Sequence, residues 1–579
     1  MLEHIVIIIK QLSRSAPSRH LKDTTYLCRC AWALGLASLL SMITTQIYAD
    51  NDPLGHGDRA ASLYRDVLRL DGKGNPLLPM SVLSRAEKLE VSAAGGVRIL
   101  GTGDGQVEVR VPGPVEVTYT QGKPGQLQHF VILAQAPAVD FDLLRKAKQV
   151  WKERNLPVKT LGTGTTYSLA GQALDTRTTL LVLETAFAGL PQAEARSAEL
   201  EKQYGVDLDI ISVLSEPPTC TLIVKSASAE LRAADVLWFE ALGKGELRVT
   251  GTGKAGKKEM DLPGRIYVVP AKDGGLEVVN EAELERILEG IVASEIFHSA
   301  PEAALRAQAV AARTDVLAKV GTRHATDPYA ICSEVHCQAY NGMNKVNPRI
   351  AMAVRDTHGM VMLDAQGHLV DAYYHAVSGG HTENNEFAWP GLPQAALRGR
   401  ADLVAGAVDH LAGGPSEAAV LNLLAEKDNS WAAASAMNGE AARWTQERSA
   451  SELQRSLASI GVDQPVTDIH VDKRGVSGRA IEITLTLHNG HKVPLVGELR
   501  IRKALGGSAG PKGLRSSLFV VTPGPIRGGI PQSWTFRGAG FGHGVGMDQT
   551  GAVGRAKAGQ DFRQILRHYY NGAKIEQLY

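Results

Sequence analysis

The chain has 579 residues, too many for one hydrophobic core, which predicts two or three domains. Its 62 basic and 61 acidic side chains nearly cancel, which argues against nucleic acid as a partner. An apolar content of 44% is that of an ordinary globular protein.

At the N-terminus, Lys10, Arg14, Arg19, Lys22 and Arg29 precede an apolar run from Ala31 to Ile43 that gives way to small and polar residues at Ile47-Tyr48-Ala49-Asp50. The run is shorter than the ~20 residues of a spanning helix and suits the core of an export signal. Residues 1–49 are therefore expected to be a signal peptide or an uncleaved anchor, the only part to meet a membrane. The rest is expected to be exported, periplasmic or extracellular. Cys28 and Cys30 precede the run; Cys220, Cys332 and Cys337 remain, which is no disulfide framework.

Residues 50–127 read as a linker with short β segments, from alternation such as Val107-Glu108-Val109-Arg110-Val111. From 128 to 225 the pattern becomes strand (His129–Ala134), amphipathic helix (Phe141–Arg154), strand (Thr179–Glu184), helix (Gln192–Tyr204) and strand (Leu208–Leu214). This order resembles a sporulation-related repeat (SPOR) domain, a small ferredoxin-like α+β fold that binds peptidoglycan glycan strands stripped of stem peptides. A generic small α+β domain fits as well. Residues 226–263, with the Gly- and Lys-rich stretch Gly243–Lys258, read as a linker or β segment.

Residues Arg265–Pro270 and Gly275–Asn280 predict two paired strands joined by a Lys272-Asp273-Gly274 turn. Leu284, Ile287, Leu288, Ile291 and Val292 recur at helical spacing and lead to Glu295, beside Ile296 and Phe297. A second helix follows from Pro301 to about Val320, rich in small residues that allow close packing. Cys332, His336 and Cys337 stand within six residues, with His324 eight residues upstream of Cys332. Two thiols and imidazoles suit one zinc ion, for which Cys332 and Cys337 with His324 or His336 are the candidate ligands. A short-loop disulfide and free thiols also fit the spacing.

Further on come Ala372-Tyr373-Tyr374-His375-Ala376-Val377-Ser378-Gly379-Gly380-His381-Thr382-Glu383 and an Ala-rich stretch, 390–475, expected to be helical, with Trp431 and Trp444. A strand-like Ser533–Phe536 leads into Gly538-Ala539-Gly540-Phe541-Gly542-His543-Gly544-Val545-Gly546-Met547-Asp548-Gln549, where five of twelve residues are glycine. Such a run cannot be a stable helix and permits left-handed backbone and close approach. A helix from Gly551 to Ala558 and a segment from Phe562 ending in His568-Tyr569-Tyr570-Asn571-Gly572 close the chain.

These motifs, in this order from about residue 264 to 579, resemble the stage II sporulation protein D family, which includes amidase enhancers. Its patterns appear here as Asn280 with Leu284-Glu285, Gly290 through Glu295, Glu302 through Thr314, the Cys332–Tyr340 and Ala372–Glu383 segments, Gly542 through Met547 with Gln549, and Ile565 through Ile575. Asp315 departs from the family's aromatic at that position. The resemblance implies a multidomain α+β protein: a mixed α/β catalytic domain with a Gly-rich cleft, plus the smaller ferredoxin-like domain. It implies lytic cleavage of peptidoglycan glycan strands with Glu295 as the catalytic acid; from the residues alone Glu295 reads sooner as a helix-end surface charge. His375, Ser378, Gly379, Gly380, Thr382, His543, Met547 and Gln549 are then the expected substrate-binding positions, although His375 also reads as a core histidine. The alternative the family carries is a non-catalytic, glycan-binding enhancer of a cell-wall amidase.

Overall fold

Alternating apolar residues in the first half of the chain fold into two antiparallel sheets, not into spacers. The computed structural model describes residues 63–64 and 68–579, apart from 102–106, 139, 207, 228–229, 254–255, 335, 390, 428, 438 and 507–512. The expected export segment 1–49, with Cys28 and Cys30, lies outside the described residues. One sheet runs in the order Arg69–Leu70, Pro76–Ala86, Leu276–Glu283, Arg265–Pro270, Leu237–Ala241, Val97–Gly101, Val107–Val111. The short strand Ile331–Cys332 adds to Pro76–Ala86 in parallel, with Ser81 opposite Cys332. The other sheet orders Glu230–Ala234, Thr219–Lys225, Val115–Lys123, Leu89–Ser92, Leu247–Gly253 and Gly256–Leu262.

The stretch Gly243–Lys258, expected as a linker, is therefore largely a hairpin in which Val249 pairs with Met260, both buried. The division expected at residue 264 runs through a single sheet, since Arg265–Pro270 pairs with Leu237–Ala241. Period-2 alternation marks a half-buried strand but does not say which sheet it joins.

Residues 126–216 form the ferredoxin-like unit. Its elements run Gln126–Pro137, helix Phe141–Glu153, Val158–Thr163, a separate hairpin of Thr166–Leu169 and Gln172–Asp175, Thr178–Leu183, helix Leu190–Tyr204, Asp209–Glu216. The sheet order is Asp209–Glu216, Gln126–Pro137, Thr178–Leu183, Val158–Thr163, every pair antiparallel, which is the split β-α-β arrangement. Asp140 caps the first helix through Leu143 N, and Gly205 ends the second in the left-handed region at φ 65°. Trp151 and Leu200 carry the helices onto Val131, Leu181 and Leu183. The unit is docked rather than tethered. Tyr167 Oη donates to Leu317 O at 2.8 Å, Thr176 Oγ1 to Val320 O at 2.9 Å and Gly164 N to Gly321 O at 2.6 Å.

Two helices follow the hairpin. In Leu284–Glu295, the residues Leu284, Ile287, Leu288, Ile291 and Val292 are all buried, as their spacing predicts. In Glu302–Lys319, Ala304, Ala307, Ala309, Ala311 and Ala312 are 0% exposed, so neighbouring elements approach closely. Arg313 joins the two helices through a bidentate pair with Glu285, at 2.7 and 2.6 Å. Gly290 lets the loop after Cys337 close on the first helix. A Cβ there would lie 2.5 Å from the Tyr340 ring and 2.6 Å from Gly342 O.

The stretch 390–475 is only partly helical. Besides Glu417–Ala425 and Ala450–Ala458 it contributes the strands Trp444–Ser449 and Val466–Arg474. The first pairs with Ser533–Gly538, and Trp444 Nε1 donates to Gly540 O at 2.9 Å, so this region props the Gly-rich loop. Among the described residues no helix is long and apolar enough to cross a membrane.

Candidate functional site

Glu295 is the last residue of its helix, and its partners come from three other segments. Its Oε1 accepts from Ala339 N at 2.6 Å. Gln549, in the helix Gln549–Lys557, donates from Nε2 to Glu295 O at 3.0 Å and to Gln308 Oε1 at 3.2 Å. Asp315 and Lys319 stand on the second helix, paired at 2.5 Å. Burial pushes the Glu295 carboxyl up to about 7; the Ala339 N–H opposes this, the Asp315 charge adds to it, and Lys319 and Gln549 oppose it. The Glu295 residue as a whole is half-buried, and its carboxyl is desolvated by its neighbours. A carboxyl that holds its proton near neutral pH can donate it.

The loop that supplies Ala339 also carries the cysteines. Cys332, Cys337, His324 and His336 present ligand atoms all within 4.8 Å of one another, and both thiols are free. His336 Nε2 is 3.2 Å from Cys332 Sγ, and His324 Nε2 is 3.3 Å from Cys337 Sγ. Asp327 holds the other ring nitrogen of His324, Nδ1, at 2.8 Å. That contact fixes the ring and turns Nε2 to the cluster, as a carboxylate behind a ligating histidine does. Lys272 pairs with Asp327 at 2.6 Å. The hydrogen bond with Cys332, joined by the His324 and His336 imidazoles, holds the Cys337 thiol well below its usual range, while that same contact with Cys337 and then burial push Cys332 up. The cluster can hold a metal ion. Sequence spacing left His324 and His336 as alternatives; the folded loop brings both.

A cavity of about 660 Å³ lies against this loop, between it, the strand Pro76–Ala86 and the edge strand Asp209–Glu216. Cys332 and His336 border it and Glu295 does not. The Glu295 environment is therefore set by packed side chains rather than by enclosure in that cavity.

The Gly-rich loop packs on the strand Tyr374–His375, which pairs with Met547–Asp548. Gly540, Gly542, Gly544 and Gly546 all have positive φ, from 68° to 102°. At Gly544 a Cβ would lie 2.4 Å from Arg479 Cζ, and at Gly546 2.0 Å from Tyr373 O. Close backbone approach, not ligand access, demands these two glycines.

The expected wall of substrate-binding residues is thereby corrected. Ser378 is 0%, Met547 0% and Thr382 2% exposed, and Gly379 and Gly380 are buried with them. Ser378 N donates to Asp548 Oδ2 at 2.7 Å, Gly380 N to Ser378 Oγ at 3.1 Å, and Arg400 N to Thr382 Oγ1 at 2.9 Å. Their polar groups are used inside the fold. His375 is 4% exposed; burial pushes it down to about 3, and it donates from Nδ1 to Val545 O at 3.0 Å. His543 accepts from Val545 N at Nδ1 and donates from Nε2 to Tyr374 O, both at 3.1 Å. Both its nitrogens are occupied in one neutral tautomer, and burial lowers its pKa well below the ordinary value. His543 instead offers a ring, packed on Trp389 at 4.6 Å, and Trp389 stacks on Tyr373 at 4.5 Å. Of the expected set, only Gln549 contacts Glu295.

Sequence reasoning missed Asp315, Lys319, Gln338 and Tyr374. Gln338 and Tyr374 lay within segments singled out for cysteines and a histidine, and Asp315 stood out only as a departure from pattern.

Residues 272–363 match the family described as stage II sporulation protein, and residues 383–546 match a domain of unknown function (DUF8618). The chain is 28% identical over 327 residues to an uncharacterized protein of Brachyspira hyodysenteriae, covering 54% of this chain and 71% of that one. It is 28% identical over 296 residues to the amidase enhancer of Bacillus subtilis, covering 50% of this chain and 40% of the enhancer. It is 24% identical over 391 residues to stage II sporulation protein D of the same organism, covering 65% and 96%.

Proposed function

We propose, on the premise that the chain carries a stage II sporulation protein domain, that it acts outside the cytoplasm on the cell wall as a lytic transglycosylase. The names of its relatives support a cell-wall or sporulation role. One observation carries the finer reading: a single carboxyl, Glu295, stands at the end of its helix against the Ala339 N–H, and burial pushes it up to about 7. Protonated Glu295 gives its proton to the oxygen of a glycosidic bond between N-acetylmuramic acid and N-acetylglucosamine. The carboxylate left behind takes the proton of the muramyl 6-hydroxyl, and that oxygen closes on C1. One carboxyl serves as acid and then base, the product is a 1,6-anhydromuramyl end, and no water is consumed. The Ala339 N–H steadies the carboxylate form during the exchange.

Zinc fits the metal cluster, since two thiolates and two imidazoles make a closed tetrahedral set. One zinc per chain, held by Cys332, Cys337, His324 and His336, would supply no open position for chemistry and would pin the loop that ends in Ala339. The ferredoxin-like unit, seated on the end of the Glu302–Lys319 helix, would hold a glycan strand in fixed relation to Glu295.

The test is digestion of stem-peptide-free glycan strands in ¹⁸O-labelled water. Lytic closure leaves the products unlabelled, whereas incorporation of one label per cleavage would show hydrolysis and sink the proposal. The similarity to an amidase enhancer favours a second reading, a glycan-binding stimulator of a separate amidase. In that reading Glu295→Gln leaves the stimulation intact.

A further inference from the structure

Behind Glu295 stands a buried ion pair that the reaction above leaves unused. Asp315 is 2% exposed, and its Oδ2 accepts from Lys319 Nζ at 2.5 Å and from Gln338 Nε2. Lys319 Nζ also donates to Cys337 O at 2.9 Å. Gln338 Oε1 in turn accepts from Tyr374 Oη. Cys337 and Gln338 are the two residues before Ala339, whose N–H is on the Glu295 carboxylate at 2.6 Å. Two residues one turn apart on one helix thus fasten two consecutive residues of the loop, and the next amide touches the candidate acid.

We propose that the Asp315–Lys319 pair is a positioning device for Glu295: it fastens the Cys337–Ala339 backbone so that the Ala339 N–H stays on the carboxylate, and it fixes two opposed charges beside that carboxylate. The role in catalysis rests on the reading of Glu295 as the acid; the positioning itself does not.

The groups around the Glu295 carboxyl can be named element by element. The helix Glu302–Lys319 brings Asp315, Lys319 and the uncharged Gln308; the strand Tyr374–His375 brings the Tyr374 phenol; the last helices bring Gln549; the loop brings the Ala339 N–H. The charges are Asp315, which favours the protonated acid, and Lys319, which favours the carboxylate. The pair is a balance with arms of opposite sign, which mere structural support is not.

The test uses the full chain with ¹³C-labelled glutamate carboxyls, the Glu295 signal being assigned by its loss in Glu295→Gln. Asp315→Asn removes the negative arm and leaves Lys319 charged. Its Glu295 titration midpoint is expected to fall by about one pH unit, the size a single neighbouring charge imposes. Lys319→Met does the reverse, and its midpoint is expected to rise. If Asp315→Asn does not fold, the double variant with Lys319→Met leaves no unpaired charge, and its midpoint is expected below that of Lys319→Met, which keeps the Asp315 charge. Midpoints that move the same way in both single variants, or in neither, overturn the proposal. The readout needs no turnover. A wild type that cleaves no glycan while its midpoints shift as expected would refute the lytic reading and leave the positioning role standing.

Discussion

Glu295→Gln is expected to stabilise the protein increasingly as pH rises from about 4.5 to about 7, and fully above that. Below pH 4.5, the ordinary value for glutamate, the carboxyl is protonated in folded and unfolded chains alike and contributes no pH dependence. Between 4.5 and about 7 the unfolded chain releases the proton while the folded one keeps it, so wild-type stability falls as pH rises. Above about 7 the loss is complete, and at 1.36 kcal/mol per pH unit it reaches about 3 kcal/mol as a ceiling, since the residue keeps some solvent contact. The amide keeps an oxygen for the Ala339 N–H and cannot ionise. Asp548 and Glu277, also pushed up to about 7 by burial, titrate in the same window in both proteins and cancel in the comparison. The assay is thermal and urea unfolding of wild type and Glu295→Gln from pH 4.5 to 8.5. The two should lie close together at the acid end, diverge between pH 4.5 and about 7 and stay a constant distance apart above that, the variant being the more stable. Parallel curves, or a variant less stable at pH 8, would refute the desolvated-acid reasoning.

Arg313→Ala leaves Glu285 buried without its bidentate partner and is expected to cost about 3–5 kcal/mol, read as a lowered unfolding midpoint; a loss under about 1 kcal/mol would contradict the pair's role. Gly544→Ala, at φ 84° and 2.4 Å from Arg479 Cζ, is expected to lower stability by at least about 1–3 kcal/mol, measured the same way. Protein purified without added zinc is expected to carry one zinc per chain by metal analysis, and Cys332→Ser to lose it and melt lower. A metal-free protein with a Cys332–Cys337 disulfide would remove the zinc reading.

Local pattern was legible where it decides local structure. The spacing of Leu284, Ile287, Leu288, Ile291 and Val292 predicts both the Glu295 helix and its buried face. The strand–helix order of 128–225 predicts the ferredoxin-like unit, because its alternation of strands and amphipathic helices lies within one continuous segment that makes its own sheet. Long-range closure was not legible. The strand Pro76–Ala86 pairs with Leu276–Glu283 across most of 200 residues, and nothing in its alternation names that partner. The same holds for the site. Ser378 and Thr382 carry hydroxyls suited to sugars, but these accept from the Gly380 and Arg400 N–H groups inside the fold, and Asp548, 170 residues on, holds the Ser378 N–H. A polar Gly-rich segment reads as a cleft wall until the fold shows that its polar groups are spent on holding the loop.

Digestion of purified, stem-peptide-free glycan strands, followed by mass spectrometry, tests the central claim most directly. The wild type is expected to produce 1,6-anhydromuramyl ends, and a folded Glu295→Gln protein to produce them ~100-fold more slowly or less, the usual scale for loss of a general acid. Equal yields from the two proteins, or no anhydromuramyl ends from a folded, metal-loaded wild type, would contradict the assignment of Glu295 as the acid of a lytic transglycosylase.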